Sequence, residues 1–123
     1  MQRNDMTDGT SVFLVILPEV VVAQDIEATI REHRPNAEVI LARTPDAAAE
    51  LLHHGRVDAA FIESDAGAFL NTGLGKQVIA GGGRVIVVGQ DSAETSPSDQ
   101  VFALPFPFTS IDIANFLRPL MPL

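Results

Sequence analysis

The sequence contains no cysteine and only one lysine, Lys76. Without cysteine, disulfides, thiol catalysis and cysteine-ligated metals are excluded. Basic residues are scarce as well: eight Lys and Arg stand against sixteen Asp and Glu, which gives a formal net charge of -8. A surface that binds phosphates needs clustered Lys and Arg, and the basic residues here are scattered. We therefore expect neither a nucleic acid nor an anionic membrane as a partner.

Long apolar segments are also lacking. Residues 1–10 are polar and do not contain the apolar core of a signal peptide, so we expect them to form a disordered tail. No apolar run approaches the length needed to span a membrane. The 123 residues suffice for one buried core. We expect a cytoplasmic protein with a single domain over residues 11–123.

The hydrophobic pattern alternates between strand and helix periodicity. Short apolar runs predict strands over 11–17, 37–42, 57–63, 84–89 and 100–106. Helical spacing predicts four helices. The first begins after Glu19 and ends before Pro35, and the second runs from Thr44 to Gly55. The third covers 68–80 with interruptions at Gly73 and Gly75, and the fourth begins at Thr109 or Ser110 and includes Leu120. Strands that alternate with helices pair in parallel. The pattern therefore predicts an α/β fold with a doubly wound, five-stranded parallel sheet of flavodoxin-like order 2-1-3-4-5.

One crossover of this fold is unusually short. About a dozen residues, from Gln90 to Val101, separate the fourth and fifth strands, and Pro97 interrupts them. A helix rises about 1.5 Å per residue, so at most a short turn of helix fits after the loops at each end. We predict that the fourth helix is shortened or absent.

Three segments resemble a response-regulator receiver (CheY-like) domain: GRVDAAFIES, RVIVVGQ and LPFPFTSIDIANFL. In the first, an aspartate opens the strand and an acidic residue ends it five positions later. The likeness extends over nearly everything from Ser11 to Leu120 and implies a signalling function. The likeness is one of hydrophobic pattern, whereas the residues that carry out the chemistry of receivers are replaced in this sequence.

Four positions depart from the receiver pattern. The two acidic residues that hold Mg²⁺ correspond to Leu17 and Pro18, and the phosphoryl-accepting aspartate corresponds to Glu63. The switch positions, a Thr or Ser and a Lys, correspond to Gly89 and to Phe106, which precedes Pro107. Transfer of a phosphoryl group to a carboxylate needs a metal and a cation to offset the developing charge. We therefore expect no metal, no cofactor and no catalytic activity.

The acidic residues near these positions leave alternatives open. Glu63 is either a permanent mimic of phosphoaspartate or a solvated carboxylate at the end of a strand, and the absent Thr and Lys favour the second. Asp65 would become the acceptor if the register shifted by two residues. Glu19 would become a metal ligand if the first strand shifted, although an acid at a helix N-terminus is the preferred interpretation.

These departures predict an atypical, phosphorylation-independent receiver that signals through contacts with a partner protein or through self-association as a homodimer. Phe102, Phe106 and Phe108 form a candidate interaction surface, or they fill core space left by the missing helix. Two alternatives are a phosphorylatable single-domain response regulator that uses Glu63 or Asp65, and a small flavodoxin-like cofactor binder. The latter needs a Ser/Thr/Gly-rich loop after the first strand, which LPEVVV does not supply.

Overall fold

The computed structural model describes residues 11–52, 56–63, 66–89, 100–105 and 107–117. The five strands are β1 (Val12–Ile16), β2 (Glu38–Ala42), β3 (Ala59–Ile62), β4 (Arg84–Val88) and β5 (Val101–Leu104). Five helices are formed by α1 (Val20–His33), α2 (Pro45–Leu51), α3 (Ala66–Leu70), α4 (Gly73–Ala80) and α5 (Ser110–Asn115). The expected tail over residues 1–10 lies outside the described residues.

The five strands form one sheet in which all pairings are parallel. The order is β2-β1-β3-β4-β5, which confirms the doubly wound arrangement predicted from the sequence. Every residue of the central strands β1 and β3 is buried, as expected for continuous apolar runs in a sheet covered on both faces.

Apolar clusters lie on both faces of the sheet. One face packs under α1 and α5, with Phe13, Phe61 and Ile26 among its fully buried side chains. The other face packs under α2, α3 and α4 and includes Phe69 and Val78. Among the described helices, none is both long and apolar enough to cross a bilayer.

Helix boundaries follow local chemistry. Helix α1 ends at His33, just before Pro35, as predicted. The Thr44 side chain accepts a hydrogen bond from the Ala47 N–H, and Pro45 occupies the first helical position, so the predicted start of α2 is confirmed. The helix ends at Leu51, earlier than predicted, because Leu52 has an extended backbone and packs its partly buried side chain against the core. The predicted end, Gly55, lies outside the described residues.

The predicted third helix is two helices. The break falls at Asn71 and Thr72, not at the glycines, because the Thr72 hydroxyl caps a new helix by accepting the Gly75 N–H at 2.9 Å. Gly73 and Gly75 lie inside that second helix.

Two predictions about the C-terminal half have different outcomes. Thr109 is the N-cap of α5, where it forms a reciprocal capping box with Asp112. Helix α5 ends at Asn115, and Leu120 lies outside the described residues. Residues 90–99 also lie outside them, so the shortened or absent fourth helix stays a prediction.

Candidate functional site

The candidate site lies at the edge of the sheet where the parallel strands end. In open α/β sheets, ligands bind at this carboxyl edge. Leu17, Pro18 and Glu19 follow β1, Glu63 follows β3, and Gly89 follows β4. The structure brings Leu17, Glu19 and Glu63 into one shallow depression, together with Val22 and Val88. The residues that follow β1 and β3 therefore lie side by side, as expected when neighbouring strands are parallel.

The floor of this depression is apolar. Leu17 is 3% exposed and Val88 is 1% exposed, and their side chains offer no oxygen to a cation. The Leu17 N–H donates to the Ala42 carbonyl at 3.0 Å, which fixes this residue to the end of the neighbouring strand. The cavity within the depression has a volume of only about 10 Å³, roughly the room that one water molecule needs. Small-molecule sites are usually larger, at about 300–1,000 Å³.

The residues at this edge do not fit the Mg²⁺ that the receiver resemblance implies. A hard cation of this kind is held by several oxygen ligands. Glu19 and Glu63 are the carboxylates of the depression, and both are exposed. Within the described chain, no group of three or more His, Asp or Glu is arranged to hold a metal ion.

Glu63 stands at the carboxyl edge without the groups that would grip a phosphoryl analogue. Neither the Glu63 nor the Glu19 side chain forms a hydrogen bond or an ion pair with a described residue. Although Glu19 is the N-cap residue of α1, its side chain makes no capping hydrogen bond. The geometry at Glu63 is that of a solvated carboxylate, which favours the simpler of its two interpretations. Asp65 lies outside the described residues.

The switch-equivalent position at the end of β4 has a backbone reason to be glycine. Gly89 has a positive φ of 88°, a conformation that favours glycine. Its N–H donates to the Leu104 carbonyl at 2.8 Å and so continues the ladder to β5. A Thr or Ser here would be strained in this conformation.

The aromatic residues of the β5 region pack largely inward. The Phe102 ring lies 5.7 Å from the Phe116 ring, and the Arg84 guanidinium lies 5.9 Å from the Phe102 centroid. Phe108 is partly buried against the cluster under α1 and α5, whereas Pro107 is exposed and lines a different depression, beside α5. Phe106 lies outside the described residues. The packing of Phe102 and Phe108 favours the core-filling interpretation.

Two arginines that sequence reasoning did not single out hold the end of α5. Arg84 donates to the Phe116 carbonyl at 2.7 Å, and Arg34 donates to the Leu117 carbonyl. Carbonyls at a helix C-terminus lack intrahelical partners, so these two bonds satisfy acceptors that the helix leaves unpaired. Burial, and to a lesser degree the positive charge of Arg34, lower the pKa of Arg84. No spacing signal marks this pair, because the two residues come from opposite halves of the sequence.

Comparison with protein-family models finds no match, and a search of curated protein sequences finds no similar protein. The functional interpretation therefore depends on the geometry of the carboxyl edge.

Proposed function

We propose that this protein is an atypical, receiver-like signalling domain of the cytoplasm that acts through protein–protein contacts and does not use phosphorylation. The observation that carries the proposal is the chemistry of the carboxyl edge. Leu17 and Pro18 occupy the places of the metal-binding acids, and a positive-φ Gly89 occupies the place of the switch hydroxyl.

The energetic argument concerns charge at a phosphoryl group. The transferred group carries negative charge on three oxygens, and a carboxylate acceptor adds another. Catalysis of this transfer depends on cations placed in advance. Arg43 is the cation seen at this edge in the described chain, and its guanidinium reaches the Pro18 carbonyl at 3.5 Å rather than either carboxylate. This arrangement supports a domain without phosphotransfer activity.

Intact-mass measurement tests the proposal. The purified protein is incubated with Mg²⁺ and acetyl phosphate, beside a conventional receiver domain that retains the acidic pair and the lysine. We expect a phosphoryl adduct on the conventional receiver and none on this protein. An adduct that disappears in the Glu63→Gln or the Asp65→Asn variant would instead identify a phosphorylatable response regulator.

Size-exclusion chromatography with light scattering, run on the same samples, measures self-association. A molar mass that stays constant with and without acetyl phosphate agrees with a constitutive binding module. A change in molar mass that requires acetyl phosphate would contradict the proposal.

A further inference from the structure

A cleft between α1 and α5 is much larger than the depression at the carboxyl edge. Its volume is about 370 Å³, whereas the cavity at the carboxyl edge measures about 10 Å³. Small-molecule sites in proteins usually measure about 300–1,000 Å³, so this cleft has room for a small ligand. Its described walls include Arg34 at the end of α1, and Ile111, Ala114 and Leu117 from α5 and the residues that follow it.

The charge of this cleft is opposite to the charge of the whole chain. The chain has a net charge of -8, yet the described lining contains an arginine and no acidic residue. Arg34 and the nearby Arg84 form no ion pair with a described residue. Burial, and then the positive charge of Arg34, lower the pKa of Arg84. Two partly buried arginines therefore lie close together without a described carboxylate to neutralise them.

The Arg34 guanidinium is held in place and still has donors for a ligand. A guanidinium carries five N–H donors in a planar fork. In the described chain, Arg34 donates to the Ser11 hydroxyl at 3.0 Å and to the Leu117 carbonyl. These bonds connect it to the residue before β1 and to the residues after α5. Three N–H donors remain, and a carboxylate can accept two of them at once.

The other polar groups of the cleft are neutral. Ser110 and Asn115 line it, and neither side chain forms a hydrogen bond with a described residue. His33 lines it as well, and its Nδ1–H donates to the Thr29 carbonyl at 3.0 Å, which leaves the neutral ring only an acceptor at Nε2. Arg34 is therefore the permanent charge of the described lining. A single cation suits a singly charged anion better than a nucleotide with several phosphates.

The rest of the described wall is aliphatic. Ile111 is 70% exposed, the highest exposure among the large hydrophobic residues described. Ile111, Ala114 and Leu117 are spaced three residues apart, so they form one strip along the cleft. The described lining contains no aromatic residue that could stack on a base or a flavin. An aliphatic group lying along this strip would remove the Ile111 side chain from water.

We propose that the cleft between α1 and α5 binds a small aliphatic carboxylate. The carboxylate accepts hydrogen bonds from Arg34 and Asn115. The aliphatic tail lies along Ile111, Ala114 and Leu117. This inference goes beyond the proposed function and does not depend on it, because Arg34 is bonded to the start of β1, away from the carboxyl edge. The mass measurement with acetyl phosphate tests the proposed function separately.

The probe is octanoate, used below the concentration at which it forms micelles. Octylammonium has the same tail with the opposite charge, and acetate has the same charge without the tail. Binding is followed by NMR titration of the ¹⁵N-labelled protein. We expect octanoate to cause saturable shifts of the amide signals of residues 33–34 and 110–117. Octylammonium and acetate should cause no saturable shift of these signals over the same concentration range.

A charge variant with a matched control tests the role of the arginine. We expect Arg34→Gln to weaken octanoate binding about tenfold or more, because hydrogen bonds from a charged donor to the carboxylate are lost. Arg43→Gln makes the same change of charge at an exposed position on the carboxyl edge, and it should change the affinity less than about twofold.

A second variant keeps Arg34 and its bonds to Ser11 and Leu117 intact, so it tests the cleft without disturbing the fold. We expect Ile111→Thr to weaken octanoate binding about threefold or more, since apolar contact with the tail is lost. Val21→Thr, at a residue 67% exposed on α1, is its control and should leave the affinity unchanged.

Four results would overturn the inference. The first is the absence of saturable shifts with octanoate, and the second is equal binding of octylammonium. The third is a set of octanoate-induced shifts centred outside residues 33–34 and 110–117. The fourth is an equal effect of each test variant and its control.

Discussion

Among single residues, Asp58 makes the contact that fixes the start of the central strand pair. Its carboxylate accepts the Val12 N–H at 2.9 Å, while its own N–H donates to the Val12 carbonyl at 2.8 Å. Val12 is only 3% exposed, so its N–H has little access to water. Asp58→Ala should lower the free energy of unfolding by about 1–3 kcal/mol, the cost of a buried donor left without an acceptor. Urea denaturation followed by circular dichroism measures the change.

Asp58→Asn is the matched control, because an amide oxygen still accepts the hydrogen bond. It should retain most of the stability that the alanine variant loses. The Arg56–Asp58 ion pair, at 3.6 Å, involves an arginine side chain that is 77% exposed, and such pairs contribute about 0–1 kcal/mol. Equal destabilisation by Asp58→Asn and Asp58→Ala would mean that charge, and not the hydrogen bond to Val12, explains the effect.

Sequence reasoning anticipated some of these residues and missed others for a physical reason. Leu17 and Glu63 could be placed at one edge because parallel strands end on the same side of a sheet, and that rule needs no side-chain geometry. Asp58 appeared only as part of a strand pattern. Its bond to Val12 joins residues 46 positions apart and depends on the register of β1 against β3. The spacing of residues within one strand does not predict how that strand is aligned with its neighbour.

At the scale of elements, α4 contains two glycines that the structure distinguishes sharply. A Cβ at Gly75 would lie 2.1 Å from the Phe69 carbonyl oxygen, so α3 and α4 meet where a side chain cannot fit. A Cβ at Gly73 would meet nothing within 4 Å. Gly75→Ala should therefore destabilise the protein by more than about 2 kcal/mol, as forced overpacking against backbone does. Gly73→Ala should stabilise it by about 0.4–1 kcal/mol, by reducing the entropy of the unfolded chain.

Thermal and urea denaturation of these two variants, run side by side, measure both effects. Both glycines lie in one helix, two residues apart, and both changes add one methyl group, so helix propensity alone predicts the same sign for each. A stabilising Gly75→Ala would show that α3 can move away from α4 at little cost.

Helices α3 and α4 also show which features of the secondary structure could not be predicted from the sequence. The alternation of apolar strands and amphipathic helices predicted five parallel strands joined by right-handed crossovers. Their order followed from the usual 2-1-3-4-5 arrangement of a flavodoxin-like sheet. The position of the break between α3 and α4 was misplaced, since glycine weakens a helix without fixing where it ends. The hydroxyl of Thr72 decides the break by capping α4, and the contact at Gly75 then requires the absent side chain.

For the whole molecule, the excess of acidic residues predicts a stability that rises with ionic strength. Sixteen carboxylates face eight basic residues, and the described chain contains two ion pairs, Arg31–Glu27 and Arg56–Asp58. Of the other eight acidic residues that the structure describes, six are exposed, and repulsion among these like charges destabilises the compact state. The Debye length falls from about 30 Å at 0.01 M salt to about 3 Å at 1 M, which removes repulsion between all but the nearest charges. Adding sodium chloride over this range should raise the melting temperature by a few degrees, as a gain of about 1 kcal/mol does in a domain of this size.

The variant carrying Glu32→Gln and Glu50→Gln separates screening of repulsion from a general effect of salt on apolar burial. Both residues are exposed, and neither side chain has a partner in the described chain, so the substitutions reduce the net charge and leave the core contacts unchanged. If repulsion is the cause, this variant melts higher than the wild type at low salt, and the two converge at high salt. If the two proteins show the same increase with salt, the repulsion assigned to the acidic surface is too weak to matter.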